Sequence, residues 1–193
     1  ALGRIIDYEA AGGPRPEIVP GPSDPRLRGD GTTARAMTVA FVDYASPESA
    51  GHATKVLPQL VDTYIDDGRL LYVLHPWAEG RDTPGAQAAV AAECAGEQGK
   101  YWEMHDKLFE QQGEWLDASE PVSLFTGYAD AEELDLADFA ECLDSERAAL
   151  RVESGPVIGS LYGVPTAPVF LFNNGQGKEG SPSFEEFEAV IES

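Results

Sequence analysis

Ser46-Pro-Glu-Ser49 places two serine hydroxyls within four residues, with the Asp43 carboxylate three residues ahead of them, at a point where an apolar run gives way to a helical pattern. Read locally, this is an ordinary helix start: Ser46 as the capping residue and Pro47 in the first helical position, where its missing N–H costs nothing. Ser49 and His52 are three apart and could face each other on that helix. No Gly-x-Ser-x-Gly turn surrounds the serine, and no acid stands in place to orient the imidazole, so hydrolase chemistry is not supported. The three histidines, His52, His75 and His105, fall on different expected elements, with no His-Glu-x-x-His and no cysteine cluster to bind a metal. Glu103 and Asp106 flank His105 in an alternation typical of a solvated helix face. The two cysteines, Cys94 and Cys142, lie 48 residues apart (142 − 94) and cannot form a Cys-x-x-Cys. A glycine-rich phosphate loop is also missing, and no cofactor is implied. Trp102, Phe109 and Trp115 read as packing residues.

The elements that must position these residues follow from periodicity. Met37 to Tyr44 is an apolar, β-prone run, suited to a central strand covered on both faces. A helix is expected from Pro47 to about Asp66, with Ala53, Val56, Leu57, Leu60, Val61, Tyr64 and Ile65 as its buried stripe, a kink at Pro58 and an end at Gly68. Arg69-Leu-Leu-Tyr-Val-Leu-His75 is the next strand, which completes a β-α-β unit. Residues 83–162 are expected to be nearly all helical. This stretch includes an Ala-rich helix to about Gly99, a helix from Tyr101 to Gln112, and one capped by Asp135 that buries Leu136, Phe139, Cys142 and Leu143. A further helix from about Glu146 is expected to be perturbed at Gly155-Pro156. A strand returns from Pro168 to Asn173, Asn173-Asn-Gly175 turns it, and Ser183 with Glu186 forms a capping box for a helix over 184–192. Residues 1–36 read as an extended arm, crowded with Gly and Pro over 11–31, in which Arg4-Ile-Ile-Asp-Tyr8 could add an edge strand. Residues 37–193 read as one α/β domain carrying a helical insertion at about 83–162.

With 34 acidic against 13 basic residues and a net charge of −21, the 193-residue chain has no basic surface for phosphate. Nucleic acid is excluded as a partner, and an anionic membrane surface would repel it. No apolar run approaches the roughly 18 residues of a membrane span. Ala1 opens the chain without a basic-plus-apolar leader.

In this order, five stretches resemble the DsbA-like thiol–disulfide oxidoreductases of the thioredoxin superfamily. They are the strand ending in Asp43-Tyr44, the Ser-Pro-Glu-Ser helix start, Ala91-Ala-Glu-Cys-Ala-Gly-Glu-Gln-Gly-Lys-Tyr-Trp-Glu-Met-His105, Phe139-x-x-Cys142-Leu143 and Gly163-Val-Pro-Thr-Ala-Pro-Val-Phe170. The similarity runs from about Asp24 to the C-terminus and implies a thioredoxin-like fold with an inserted helical subdomain. In that family a Cys-Pro-x-Cys opens the first long helix; here Ser46 and Ser49 occupy the cysteine positions, with Pro47 and Glu48 between them. The family's cis-proline matches Pro168, preceded by Ala167, whose backbone would bind an extended peptide by strand-like hydrogen bonds. Asp43 stands where the resemblance implies an acid that can help proton transfer, the alternative being a solvated or hydrogen-bonded carboxylate. Cys94 and Cys142 match a second cysteine pair, expected as a structural disulfide, the alternative being two buried free thiols. Such a disulfide implies an oxidising compartment, and the expectation is an extracytoplasmic chain (periplasmic, cell-envelope or secreted) whose leader or anchor is absent from this sequence.

A serine hydroxyl neither ionises at neutral pH nor forms an S–S bond, so the site as written cannot exchange disulfides. Three readings stay open at this point. The chain is an oxidoreductase with both active-site cysteines changed to serine; or a natural redox-silent relative that binds peptides or acts like a chaperone; or an interaction domain that shares only the fold. The first implies cysteine-containing, unfolded exported polypeptides as substrates and an unknown redox partner.

Overall fold

A computed structural model of the chain describes residues 18–172 and 176–193. Two strands supply its centre. In β2 (Ala36–Val42) every residue from Thr38 onward is buried, as is every residue of β3 (Leu70–Pro76). They pair in parallel, with Thr38 opposite Tyr72 and Phe41 opposite His75. The expected strand end at Tyr44 falls two residues earlier, because Asp43 and Tyr44 already belong to the connection into the helix.

β4 (Val169–Phe172) pairs antiparallel with the other edge of β2, and β5 (Gly177–Glu179) with β4. The short strand β1 (Leu27–Arg28) pairs antiparallel with β3, giving the order β1-β3-β2-β4-β5. The turn expected at Asn173-Asn-Gly175 lies outside the described residues, as does the edge strand expected at Arg4 to Tyr8. β1 instead sits within the Gly- and Pro-rich stretch. Its neighbour Arg26 is buried, chelates Asp24 at 2.8 and 2.7 Å, and reaches toward Glu93 at 3.7 Å.

The first helical run, α1, joins β2 to β3. It alternates α segments (Pro47–Gly51, Leu57–Leu60) with π turns (His52–Val56, Val61–Ile65). The disturbance expected at Pro58 therefore takes the form of a widened turn. Leu57 N–H bonds to the His52 carbonyl, five residues back, and this shifts the ladder just before the ring that would meet the carbonyl four residues behind it. Ala53, Val56, Leu57, Leu60, Tyr64 and Ile65 are buried as the stripe predicts, and Val61 packs at the margin.

The insertion comprises α2 (Pro84–Glu97), α3 (Tyr101–Glu110), α4 (Gln112–Trp115), α5 (Pro121–Ala131), α6 (Leu136–Leu143) and α7 (Glu146–Leu161). Asp135 caps α6 through its Oδ1, which accepts from the N–H groups of Ala137 and Asp138. Leu136 does not join the buried side of α6. It is 38% exposed, being the first residue after the cap and turned outward, while Leu134 just before it is buried. α7 passes through Gly155-Pro156 without a break, and a Cβ placed on Gly155 would overlap the Pro76 carbonyl. Cys94 of α2 and Cys142 of α6 form a disulfide, with both residues buried.

One face of the sheet meets α1, the insertion and Phe187 of α8 (Phe184–Ile191), which opens on the expected capping box. On the opposite face Val39, Phe41, Val73 and Val169, with Trp77 just past β3, are covered by Ile158 of α7, Tyr162 just after it, and Ile18 and Val19.

Candidate active site

The site lies where the central strand β2 hands over to α1. Ser46 caps the helix: its Oγ accepts the Ser49 N–H at 3.3 Å, and its carbonyl accepts the Ala50 N–H at 3.0 Å. Pro47 and Glu48 are exposed, whereas Ser49 is 1% exposed and points under the connection. Its Oγ accepts the Asp43 N–H at 3.3 Å. The two serines thus lie one turn apart on the same helix start, the outer half-buried and the inner enclosed.

Asp43 folds its carboxylate back onto the Ala45 N–H at 2.8 Å. Burial pushes its carboxyl above the usual range; the Ala45 hydrogen bond pulls it down, and the Glu79 charge adds to the rise. Gly85 of α2 presses close here, since a Cβ on it would come within 2.9 Å of Asp43 Oδ1 and 3.0 Å of the Ala45 Cβ.

Pro168 enters from the other side of β2. The Ala167–Pro168 peptide bond is cis. Phe41 lies opposite Val169 in the antiparallel register, so Pro168 falls beside Val42, at the end of β2 that leads to Ser46. Cys94 is elsewhere, about 13 Å along the α2 axis from Gly85 at 1.5 Å per residue.

Ser49 and His52 do not work as a pair. The Ser49 hydroxyl is engaged by Asp43, and His52 Nε2 lies 3.1 Å from the Tyr72 hydroxyl, with the ring among Tyr72, Phe170 and Phe187. His105 is buried rather than part of a solvated face. Its Nδ1 shares a hydrogen bond with the Tyr44 hydroxyl at 3.0 Å, and burial lowers its pKa to about 3. Among the described residues, no group of three or more His, Cys, Asp or Glu could hold a metal ion, and no helix is long and apolar enough to cross a membrane.

Sequence reasoning missed Gln112. Its Nε2 donates to the Tyr44 carbonyl at 2.7 Å and to the Ser46 carbonyl at 3.2 Å. The available signal was spacing: His105, Phe109 and Gln112 recur at i, i+4 and i+7 and all meet residues 44–46.

A parallel strand feeding a capped helix, a cis-proline on the neighbouring strand and a helical insertion define a thioredoxin-type domain. The family model described as Thioredoxin matches residues 24–193, and the chain belongs to that family. Its fold is that of the DsbA-like members. The solved structure of alpha-DsbA1 from Wolbachia pipientis superposes with a TM-score of 0.77 at 20% identity, covering 90% of this chain and 91% of that one. Oxidised BdbD from Bacillus subtilis gives 0.77 at 20%, covering 90% and 94%. In sequence, the chain is 34% identical over 170 residues to "Na(+)/H(+) antiporter NhaA 1" of Salinispora arenicola, covering 82% of this chain and 24% of that protein. The chain thus spans about a quarter of the length of the first curated relatives it matches. Its two cysteines are both committed to the Cys94–Cys142 disulfide.

Proposed function

We propose that the chain is a thiol–disulfide oxidoreductase domain for cysteines of exported polypeptides, redox-inactive as it stands because Ser46 and Ser49 occupy the positions of the attacking and resolving thiols. The single observation that carries this is the Ser49 N–H held on the Ser46 Oγ across the first turn of α1, at the end of β2 flanked by cis Pro168. At position 46 a sulfur would sit in the cap, where the Ser49 N–H and the helix N-terminus favour a thiolate. At position 49 a sulfur would lie one turn inward, ready to displace a mixed disulfide. Asp43, whose N–H meets the Ser49 Oγ, would be the acid to take the proton of the inner thiol. Pro168 and the Ala167 backbone would shape the substrate groove. Such a domain needs no diffusible cofactor, and a redox partner would recharge it. The disulfide in the insertion supports an oxidising, extracytoplasmic location, and the likeness to part of a sodium–proton antiporter suits the cell envelope.

One observation favours a second reading, a naturally redox-silent peptide-binding module: the Ser49 hydroxyl is used, as acceptor for the Asp43 N–H. The deciding experiment is the double substitution Ser46→Cys with Ser49→Cys, assayed for disulfide exchange with a reduced, unfolded protein and with the unaltered chain as blank. Turnover supports the oxidoreductase. A folded double variant that does not turn over sinks it in favour of the binding module.

A further inference from the structure

We propose that Gln112 is the positioning residue of this site: its side-chain amide, reaching across from the insertion, sets the conformation in which residue 46 is presented. The role rests on the proposed function insofar as it takes residue 46 to be the reacting position.

The argument begins with the backbone of residues 43–46. Residues 43–45 have left the sheet and have not entered the helix, and Ser46 joins the helical ladder only through its carbonyl. The Asp43 carbonyl accepts from Ser46 N–H, and the Ser46 carbonyl from Ala50 N–H. The Tyr44 carbonyl belongs to a fully buried residue and would stand unpaired at substantial cost without an outside donor. Gln112 supplies that donor at 2.7 Å, and the same nitrogen reaches the second lone pair of the Ser46 carbonyl at 3.2 Å. An amide NH2 carries two protons, and here both have an acceptor.

The amide itself is held firmly. Gln112 opens α4, whose Trp115 is wholly buried and donates from Nε1 to the Leu108 carbonyl at 2.8 Å. Two residues of α3 hold the same loop residue by its side chain. Phe109 stacks on the Tyr44 ring at 4.8 Å, and His105 meets the Tyr44 hydroxyl. These two fix the ring; only Gln112 reaches the backbone on both sides of Ala45. The insertion therefore determines where the cap of α1 sits, and with it how well the first-turn N–H groups face a thiolate at position 46.

The test compares Gln112→Met, which keeps length and volume but loses both donors, with Gln112→Asn, which keeps the donors on a shorter arm. It has two readouts. In the protein carrying Ser46→Cys and Ser49→Cys, Gln112→Met should raise the pKa of the thiol at position 46, followed by thiolate absorbance. It should also slow mixed-disulfide formation about fivefold, the factor of one ordinary net hydrogen bond. In the chain with its serines, Gln112→Met should speed hydrogen exchange at the Ser49 and Ala50 amides by a similar factor while α8 is unchanged, and Gln112→Asn should recover part of that protection.

An unchanged thiol pKa and rate, or faster exchange spread evenly through the domain, would overturn the positioning role and leave Gln112 a general stabiliser. If the double-cysteine protein with Gln112 intact does not exchange disulfides, the oxidoreductase reading is what fails. The amide measurement then decides alone whether Gln112 positions the cap.

Discussion

The Asp43 N and the Ser49 Oγ lie 3.3 Å apart, so the first residue after β2 and the last residue of the tetrapeptide close a ring across the strand-to-helix connection. Ser49→Ala removes the acceptor that this N–H has among the described residues. We expect a loss of about 1–2 kcal/mol in urea unfolding, larger than for Ser49→Cys, whose sulfur fills the same space and accepts weakly. Equal stability of the alanine variant and the parent would mean that water serves the amide just as well.

The Cys94–Cys142 bridge closes a loop of sequence separation 48 between α2 and α6. On a chain-entropy view it contributes about 4 kcal/mol. Replacing both cysteines by alanine should lower the denaturation midpoint strongly. Because both residues are buried, mild reductant should leave the folded protein unaffected. Rapid reduction under native conditions would contradict the enclosed placement.

His105 is neutral in the fold because burial lowers its pKa to about 3 from an ordinary value near 6.5. A depressed folded pKa means that the unfolded chain takes up a proton first on acidification. The associated stability is therefore complete above about pH 6.5 and is lost progressively as the pH falls toward 3. His105→Gln keeps a polar partner for Tyr44 but cannot titrate. The stability difference between parent and variant should be flat above pH 7 and then shift against the parent by up to about 1.4 kcal/mol per pH unit. His52 and His75 are depressed in the same way, to about 3 and about 4, and cancel in this difference. A difference flat across the whole range would show that His105 titrates normally.

Glu93, 1% exposed, sits between Arg26 at 3.7 Å and Arg151 at 3.0 Å. Burial pushes its carboxyl up, against the pull of both guanidiniums. Glu93→Gln leaves Arg26 with Asp24 and Arg151 with Glu97, so it removes one charge-assisted contact rather than the whole counter-charge, and should cost about 1.5–3 kcal/mol. It should also free the segment carrying β1, read as accelerated proteolysis near Arg26. Cleavage at the parent's rate would place the anchor of that segment elsewhere, at His75 Nε2, which meets the Ile18 carbonyl at 2.7 Å.

The parallel pair β2 and β3, the run of α1 and the capping box of α8 were legible because each is written in local pattern: apolar runs, a helical stripe, Ser183 with Glu186. β1 was not, since two residues in a Gly- and Pro-rich stretch carry no periodicity, and what places them is the ion pairing of Arg26 across the fold. The π turns of α1 depend on how one proline is accommodated, which periodicity does not encode. At the candidate site, Ser46, Ser49 and Pro168 are singled out by the family resemblance alone, since by itself the tetrapeptide reads as a helix cap. Gln112 escaped because a glutamine in a polar helix start is unremarked until its donors are traced to backbone carbonyls.

Gly155 faces the Pro76 carbonyl so closely that no other residue fits there without moving α7 or β3. A sliding of α7 by a single position would drive Ser154 or Pro156 into that carbonyl, so the helix admits only one phase against the sheet. Evolution or design can vary the outer face of α7, where Leu150 and Val157 stand exposed. It cannot shorten or lengthen the helix between Glu146 and Gly155 by one residue and keep both its salt bridges to Arg81 and its seat on the sheet.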